Sequence, residues 1–434
     1  MTRIKRREWD KKIWHLLWPI LLMNLTQRFG NLFEGVLVSV NSTDELTITS
    51  LCSPYIMLIG NVSYGLGIAV NAMTGQLDRD GMWQKCWRRA TSTMLLILVS
   101  FGAIMSIMTL LLMYPALSEV PELKMTAMGY MLPYLLGSPI TLLFQVLISA
   151  MRGLKNSKAG MWMIFVSVPV QLLVGWSCYN TFGLAGLGLG SLASNIVGCI
   201  IGISCYKQHL NKESGNERLP KEFAKQFLGL AVPVSLSKMV GPVANTTITA
   251  LVLSIGSVYV GANGLAGRME AFFYMPAMAM GSVAITLVAQ EKSEESIWPL
   301  CQRLCLWSIT PTIIMTIIAK LSDDVIWGYI SDDAMLIAAG VEHWSICLWA
   351  YVLIALEMTF TGILQARGCG MPLLVVTVIR LWCVQLPVTF LATKFGWGAK
   401  GAWFAFLLAN VCSFLTSFIW AWIKIKGEKK HECN

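Results

Sequence analysis

Charge is the scarcest resource of this chain. Asp, Glu, Lys and Arg make up 13% of its 434 residues, about half of what an ordinary soluble domain carries. A soluble fold of this length buries a large core but still needs a charged surface, and there is too little charge here to make one. That excludes a soluble enzyme, a nucleic-acid module and a disordered chain. Histidine is scarce as well: His15, His209, His343 and His431 are scattered and form no HExxH pair. The 12 cysteines form no CxxC pair and no metal spacing. Most, such as Cys178, Cys199, Cys347 and Cys412, sit inside apolar runs, where a thiol behaves as a small hydrophobe, so no disulfide framework is implied. A Walker-type phosphate loop is missing, so ATP is not the direct energy source in this chain. The run Gly186-Leu-Gly188-Leu-Gly190 opens an apolar segment and follows no strand, so it reads as small-residue helix packing rather than a dinucleotide fingerprint.

What the chain has in abundance is apolar sequence, 56% of the residues, in uninterrupted runs of twenty or more. Each is long enough to cross a hydrocarbon core of roughly 30 Å as a helix. Twelve spans fit, near 13–40, 46–76, 90–114, 122–150, 159–181, 184–206, 226–255, 260–290, 299–320, 335–365, 372–394 and 398–423. The opening MTRIKRREWDKK is basic, and the run after it is too long for a signal-peptide core and lacks a cleavage site, so it reads as an uncleaved first span. The net charge of +9 is not spread evenly. Twenty-five of the 33 Lys and Arg fall on one side of the spans, four on the other (Lys124, Lys320, Lys394, Lys400) and four inside (Arg28, Lys238, Arg268, Arg380). That asymmetry predicts both termini in the cytosol of a multi-pass cell (inner) membrane protein.

The two halves resemble each other. Leu16-Leu17-Trp18-Pro19 returns 214 residues later as Leu230-Ala231-Val232-Pro233, Asn31 as Asn245, and Gln76 as Gln290. Arg152-Gly153 returns as Arg367-Gly368 and Asn195 as Asn410, 215 residues on. The expected organisation is an N-terminal six-helix lobe (1–206), a cytosolic linker (207–225) and a C-terminal six-helix lobe with a short basic tail (226–434). Six spans per half keep both repeats in one orientation, which predicts a pseudo-two-fold axis along the membrane normal.

A charge inside a span costs about 2.5–3.5 kcal/mol even on lenient scales, so each needs an account. Asn24, Gln27, Asn31 and Glu34 are spaced 3, 4 and 3, which aligns them in one stripe of span 1. A carboxylate among amides suits a proton carrier, or a Na⁺ site at Glu34 and Asn31 with Gln27 and Asn71 as further oxygen ligands. Glu270 lies in GLAGRMEAFFYMP, where Phe272, Phe273 and Tyr274 suit a cationic or aromatic ligand; a structural ion pair with Lys238 or Arg268 is the competing account. Glu357 shares a face with Thr361 and Trp349. Lys238 and Asn245 are seven apart on one face, with Lys238 placed either to neutralise an acid or to touch substrate. Arg380 sits mid-span and reads as a packing or ion-pair residue.

The residues resemble a known family, the multidrug and toxic compound extrusion (MATE) transporters of bacterial type. The first span, WPILLMNLTQRFGNLFEGVLVS, is similar to the family's opening helix, with Glu34 where an Asp is usual. GLAGRMEAFFYMPAMAMGSVAITLVAQ is similar to its ASRIE…PAxGxxxAxxxLVGQ pattern, and SAMRGLKNSKAG and LQARGCGMP resemble its paired LRGxGDTKxP turns. The resemblance implies twelve helices in two lobes, no enzyme activity, and export driven by H⁺ or Na⁺ entry, often of amphipathic organic cations. By position it makes Glu34, Gln27, Asn31, Asn71 and Glu357 cation-coupling residues, and Glu270, Lys238, Asn245, Tyr274 and Glu34 substrate-binding ones. The expected partners are membrane lipid and a small-molecule substrate, with no cofactor, no resident metal and no nucleic acid, and the expected state is a monomer. The alternative from the same superfamily is a flippase or exporter of an anionic or lipid-linked metabolite, which would bring Lys238, Arg28, Arg268 and Arg380 to an inward basic surface.

Overall fold

A chain in hydrocarbon satisfies its backbone by helix or by closed barrel, and this one forms helices. The computed structural model describes residues 3–41, 43–118, 121–208, 217, 222–330 and 333–432, and no strand occurs among them. The helices are α1 (Arg3–Asn41), α2 (Thr43–Arg79), α3 (Trp83–Ser118), α4 (Pro121–Gly153), α5 (Ser157–Phe182), α6 (Leu184–Gln208), α7 (Phe223–Leu253), α8 (Ser257–Ala289), α9 (Glu294–Leu321), α10 (Asp323–Ile330), α11 (Ala334–Cys347), α12 (Ala350–Ala366), α13 (Met371–Val378), α14 (Leu386–Lys394) and α15 (Gly398–Glu432). A π-helical stretch, Ile379–Gln385, joins α13 to α14. Ten helices among the described residues are long and apolar enough to span, and α11 with α12, bent by 45°, makes an eleventh. The 39-residue α1 supplies the twelfth rod, as the sequence predicts.

Two details of those rods are not announced by their sequence. The expected span 335–365 is broken at Leu348–Trp349, with no proline at the break. The expected span 372–394 contains the π-helical stretch, a form that occurs mostly as a single widened turn at functional positions.

The chain divides into two compact units: Trp18–Ser235, here the N-unit, and Met1–Leu17 with Leu236–Asn434, here the C-unit. The division falls inside α1 and α7, close to Pro19 and Pro233. Each unit has the same internal plan. In the N-unit α4 is the hub, packed on α2, α6 and α3; in the C-unit α12 is the hub, packed on α8, α15 and α9. Close helix approach in the N-unit depends on the α6 glycines. A Cβ on Gly190 would lie 2.6 Å from the Gln171 carbonyl oxygen and from the backbone of Gly175 on α5, and one on Gly188 would lie 3.0 Å from the Tyr130 carbonyl oxygen on α4. The glycine run is therefore a packing seam. Around it, Ser106 and Ser138 hydroxyls meet at 2.6 Å, Asn195 donates to Thr141 at 2.9 Å, and Tyr179 donates to Glu45.

The first turns of α1 are fixed within the C-unit. The Asp10 carboxylate accepts from Arg303 Nε at 2.6 Å, from Arg303 Nη2 at 2.5 Å and from Trp307 Nε1 at 2.7 Å, while Trp14 lies 6.2 Å from the Trp307 ring. This bidentate geometry holds the Asp10 carboxyl below the ordinary carboxylate value of 3.8, first through the Arg303 hydrogen bond and then through Trp307.

Two measurements check these contacts. Gly190→Val should overpack the α5–α6 seam and cost about 1–3 kcal/mol, read as a lower thermal midpoint of the purified protein in detergent; an unchanged midpoint contradicts the seam. Asp10→Asn should lower that midpoint at pH 7 by the equivalent of about 1 kcal/mol, a figure reduced for solvent screening of the pair. Because the folded carboxyl titrates below its unfolded counterpart, its contribution is complete above the ordinary value and is lost as pH falls through the depressed one. The gap between wild type and variant should therefore close below about pH 4, and a gap that persists in acid refutes the ion-pair account.

Candidate functional site

The buried acids of the C-unit lie at two levels of its hub helix. At the first level, α8 presents Glu270 from its middle. The break between α11 and α12 turns two more side chains toward it, His343 from the end of α11 and Tyr351 from the first turn of α12. All three are buried, Glu270 at 6% exposure. Tyr351 donates its hydroxyl to Glu270 Oε2 at 2.5 Å. His343 Nδ1 lies 3.4 Å from Glu270 Oε1, but the two are not aligned for a hydrogen bond, and neither atom has another partner among the described residues. The surroundings are aromatic and sulfur-bearing. Trp403 meets His343 edge-on at 5.4 Å, Tyr259 packs on Trp403 at 6.0 Å, and Phe273, Trp344 and Trp327 stack in sequence behind them. Cys347 is buried there, with its thiol directed at the Trp403 carbonyl 3.8 Å away.

That environment sets the chemistry. A neutral imidazole with its proton on Nε2 presents Nδ1 as an acceptor, and a carboxylate oxygen is also an acceptor. Two buried acceptors 3.4 Å apart are unfavourable until one proton is placed between them, and buried polar atoms are almost always paired. The pocket thus has a place for a single proton. It suits a hard cation poorly, because the carboxylate and one phenol oxygen are surrounded by rings and sulfur, whereas such ions take several oxygen ligands. No group of three or more His, Cys, Asp and Glu able to hold a metal occurs among the described residues.

At the second level, less than two turns along α12, Glu357 is 3% exposed. Arg380 Nη1, from the π-helical stretch, stands 3.9 Å from Glu357 Oε2 and donates to Asn410 Oδ1 of α15 at 3.5 Å. Asn410 in turn donates to the Phe406 carbonyl at 2.8 Å. Lys238 of α7 lies within electrostatic range of both Arg380 and Glu357.

The remaining expected residues separate. Lys238 is half-buried and Asn245 exposed. Tyr274 is half-buried, with its hydroxyl 3.8 Å from Met358 Sδ. In the N-unit, Gln27 and Arg28 are exposed and Asn24 is half-buried, while the side chains of Asn31 and Glu34, and that of Arg268 in the C-unit, lie outside the described residues. Asn71 is buried beside Gly153, next to Arg152, whose Nη2 reaches Met23 Sδ at 3.4 Å. Met23 precedes position 34 by eleven residues, roughly 16 Å at about 1.5 Å per residue, so Asn71 packs at a different level of the helix from Glu34. His343, Tyr351 and Asn410 were not among the expected site residues. Nothing in their local sequence marks them, since they converge only through the α11–α12 break and the packing of α15.

The MatE family model matches the chain twice, over 19–177 and 233–391, so the second match begins 214 residues after the first (233 against 19). That is the offset of the internal repeat. The probable multidrug resistance protein YoeA of Bacillus subtilis is 22% identical over 93% of this chain and 92% of its own length. A mutant of the Vibrio cholerae MATE transporter VcmN superposes with a TM-score of 0.89 at 18% identity, covering 98% of this chain and 99% of that one. A MOP superfamily transporter from Pyrococcus furiosus, described as having a binding pocket of reverse polarity that suggests a different function, gives a TM-score of 0.86 at 17% identity, covering 97% of each chain. With the repeat, the twelve rods and the doubled family match in place, the chain belongs to the MatE family and is a multi-pass membrane transporter of the multidrug efflux type rather than an enzyme.

Proposed function

We propose that this transporter is a proton-coupled exporter of small organic compounds, and that Glu270 carries the coupling proton. The observation behind the reading is the facing pair Glu270 Oε1 and His343 Nδ1, 3.4 Å apart, buried and without other partners among the described residues. One proton satisfies both atoms, and its removal leaves a buried carboxylate held only by Tyr351. That change in charge balance is large enough to bias a conformational equilibrium. Alternating access of two six-helix lobes then exchanges proton entry for substrate exit. The basic side of the chain, with both termini, faces the cytosol of the inner membrane in this reading. The polar stripe of α1 (Gln27, Asn31, Glu34) is the second place at which a cation would enter. The ring-and-sulfur lining of the Glu270 pocket favours H⁺ over Na⁺ as the coupling ion.

The test uses proteoliposomes loaded with two xanthene dyes of opposite charge, cationic rhodamine 123 and anionic carboxyfluorescein, under imposed pH or Na⁺ gradients. A pH gradient should drive transport of at least one dye and a Na⁺ gradient should not. Glu270→Gln should insert and fold with a near-normal thermal midpoint yet lose at least 10-fold of the pH-driven rate. Undiminished transport by that variant, or dye movement indifferent to the pH gradient, contradicts the proposal.

A further inference from the structure

We propose that Lys238 and Arg380, beside Glu357 in the C-unit, form a recognition site for the anionic group of the transported compound, a carboxylate, sulfonate or phosphate. The inference rests on the export reading and adds the charge class of what is carried.

Four observations support it. The cluster holds two cations and one carboxylate, so it carries a net positive charge inside the membrane-spanning part of the chain, where an excess charge is costly. The Arg380–Glu357 pair is also loose. Its closest approach is 3.9 Å and it makes no hydrogen bond, whereas Arg303 grips Asp10 in the same unit with two contacts at 2.6 and 2.5 Å. A pair kept only for stability would be expected to show the tight, bidentate form. Third, the guanidinium has spare capacity. Its one hydrogen bond among the described residues is the 3.5 Å contact to Asn410, Nε has no partner there, and the side chain is 23% exposed against 4% for Glu357. A guanidinium fork open on one side matches an oxyanion in both charge and shape. Finally, Arg380 is carried by the π-helical stretch Ile379–Gln385, the only such stretch among the described residues. Such widened turns displace one side chain from the regular helix surface and concentrate at functional positions.

Two cations side by side repel a cationic substrate as strongly as they attract an anionic one, so the site discriminates by sign. Glu357 balances one of them when the site is empty, and an incoming oxyanion takes its place beside Arg380 or adds to it beside Lys238.

Binding is measured by fluorescence polarisation of carboxyfluorescein with the full chain in phosphatidylcholine nanodiscs, without any gradient, with rhodamine 123 as the opposite-charge control. Carboxyfluorescein should bind the wild type. Lys238→Gln should weaken its binding at least 10-fold, and Lys238→Arg should stay within about 3-fold of wild type. Arg380→Gln alone strands the buried Glu357 carboxylate, so it is combined with Glu357→Gln; the double variant should keep its thermal midpoint and also lose at least 10-fold. The proposal is overturned if carboxyfluorescein does not bind, if rhodamine 123 binds as tightly, or if Lys238→Gln leaves carboxyfluorescein binding unchanged. It is also overturned if added phosphatidylglycerol displaces the dye in a Lys238-dependent way, which would assign the site to a lipid headgroup. Because binding is read without a gradient, these failures leave pH-driven transport untouched. Conversely, loss of gradient dependence with intact dye binding would refute only the coupling reading.

Discussion

Hydrocarbon offers a buried charge no water, so every ionisable side chain in a spanning helix must find its partner within the protein or share a proton with it. That constraint organises the C-unit. Glu270 is met by a phenol and an imidazole and enclosed by rings. Glu357 is met by a guanidinium, an ammonium and, through Arg380, an amide. The two acids belong to adjacent helices of one unit and have opposite surroundings, one neutral and one cationic. In the proposed mechanism they divide the work accordingly, with proton exchange at the first and charge selection at the second.

Departures from regular helix produce both environments. The 45° break between α11 and α12 brings His343 and Tyr351 to one carboxylate, although they are eight residues apart along the chain. The π-helical turn does the corresponding work for Arg380. In each case the backbone leaves the straight rod where a polar side chain must be aimed inward, and neither position contains a proline. The remaining rods stay regular and pack through small residues, as at Gly190 against Gly175 and at Gly362, where a Cβ would come within 2.7 Å of the Gly281 carbonyl oxygen.

The internal repeat supplies the scaffold and then departs from it. Both units use one hub helix and the same set of neighbours. At the repeat offsets of 214 or 215, however, Lys238 corresponds to Asn24, Glu270 to Ile56, Tyr351 to Leu136, Glu357 to Leu142 and Arg380 to Phe165, while Glu34 corresponds to Ile248. The packing is shared and the polar chemistry is not. A duplicated pair of lobes thus contains two different interiors, which is what coupling an ion to a separate solute requires.

The sequence alone determined the architecture, because long apolar runs in a charge-poor chain have a single low-energy form in a bilayer, and the spacing of their repeats reveals the duplication. It also identified Glu270, Glu357, Lys238 and Arg380 as exceptions, since the cost of a buried charge is a property of the residue and its span. Which exception meets which was decided only by tertiary structure. Glu270 finds Tyr351 and His343, and Arg380 goes to Glu357 and Asn410, through helix breaks and helix order that leave no mark at those positions. A helix face is readable from period 3.6, but the partner across it is set by how the rods pack.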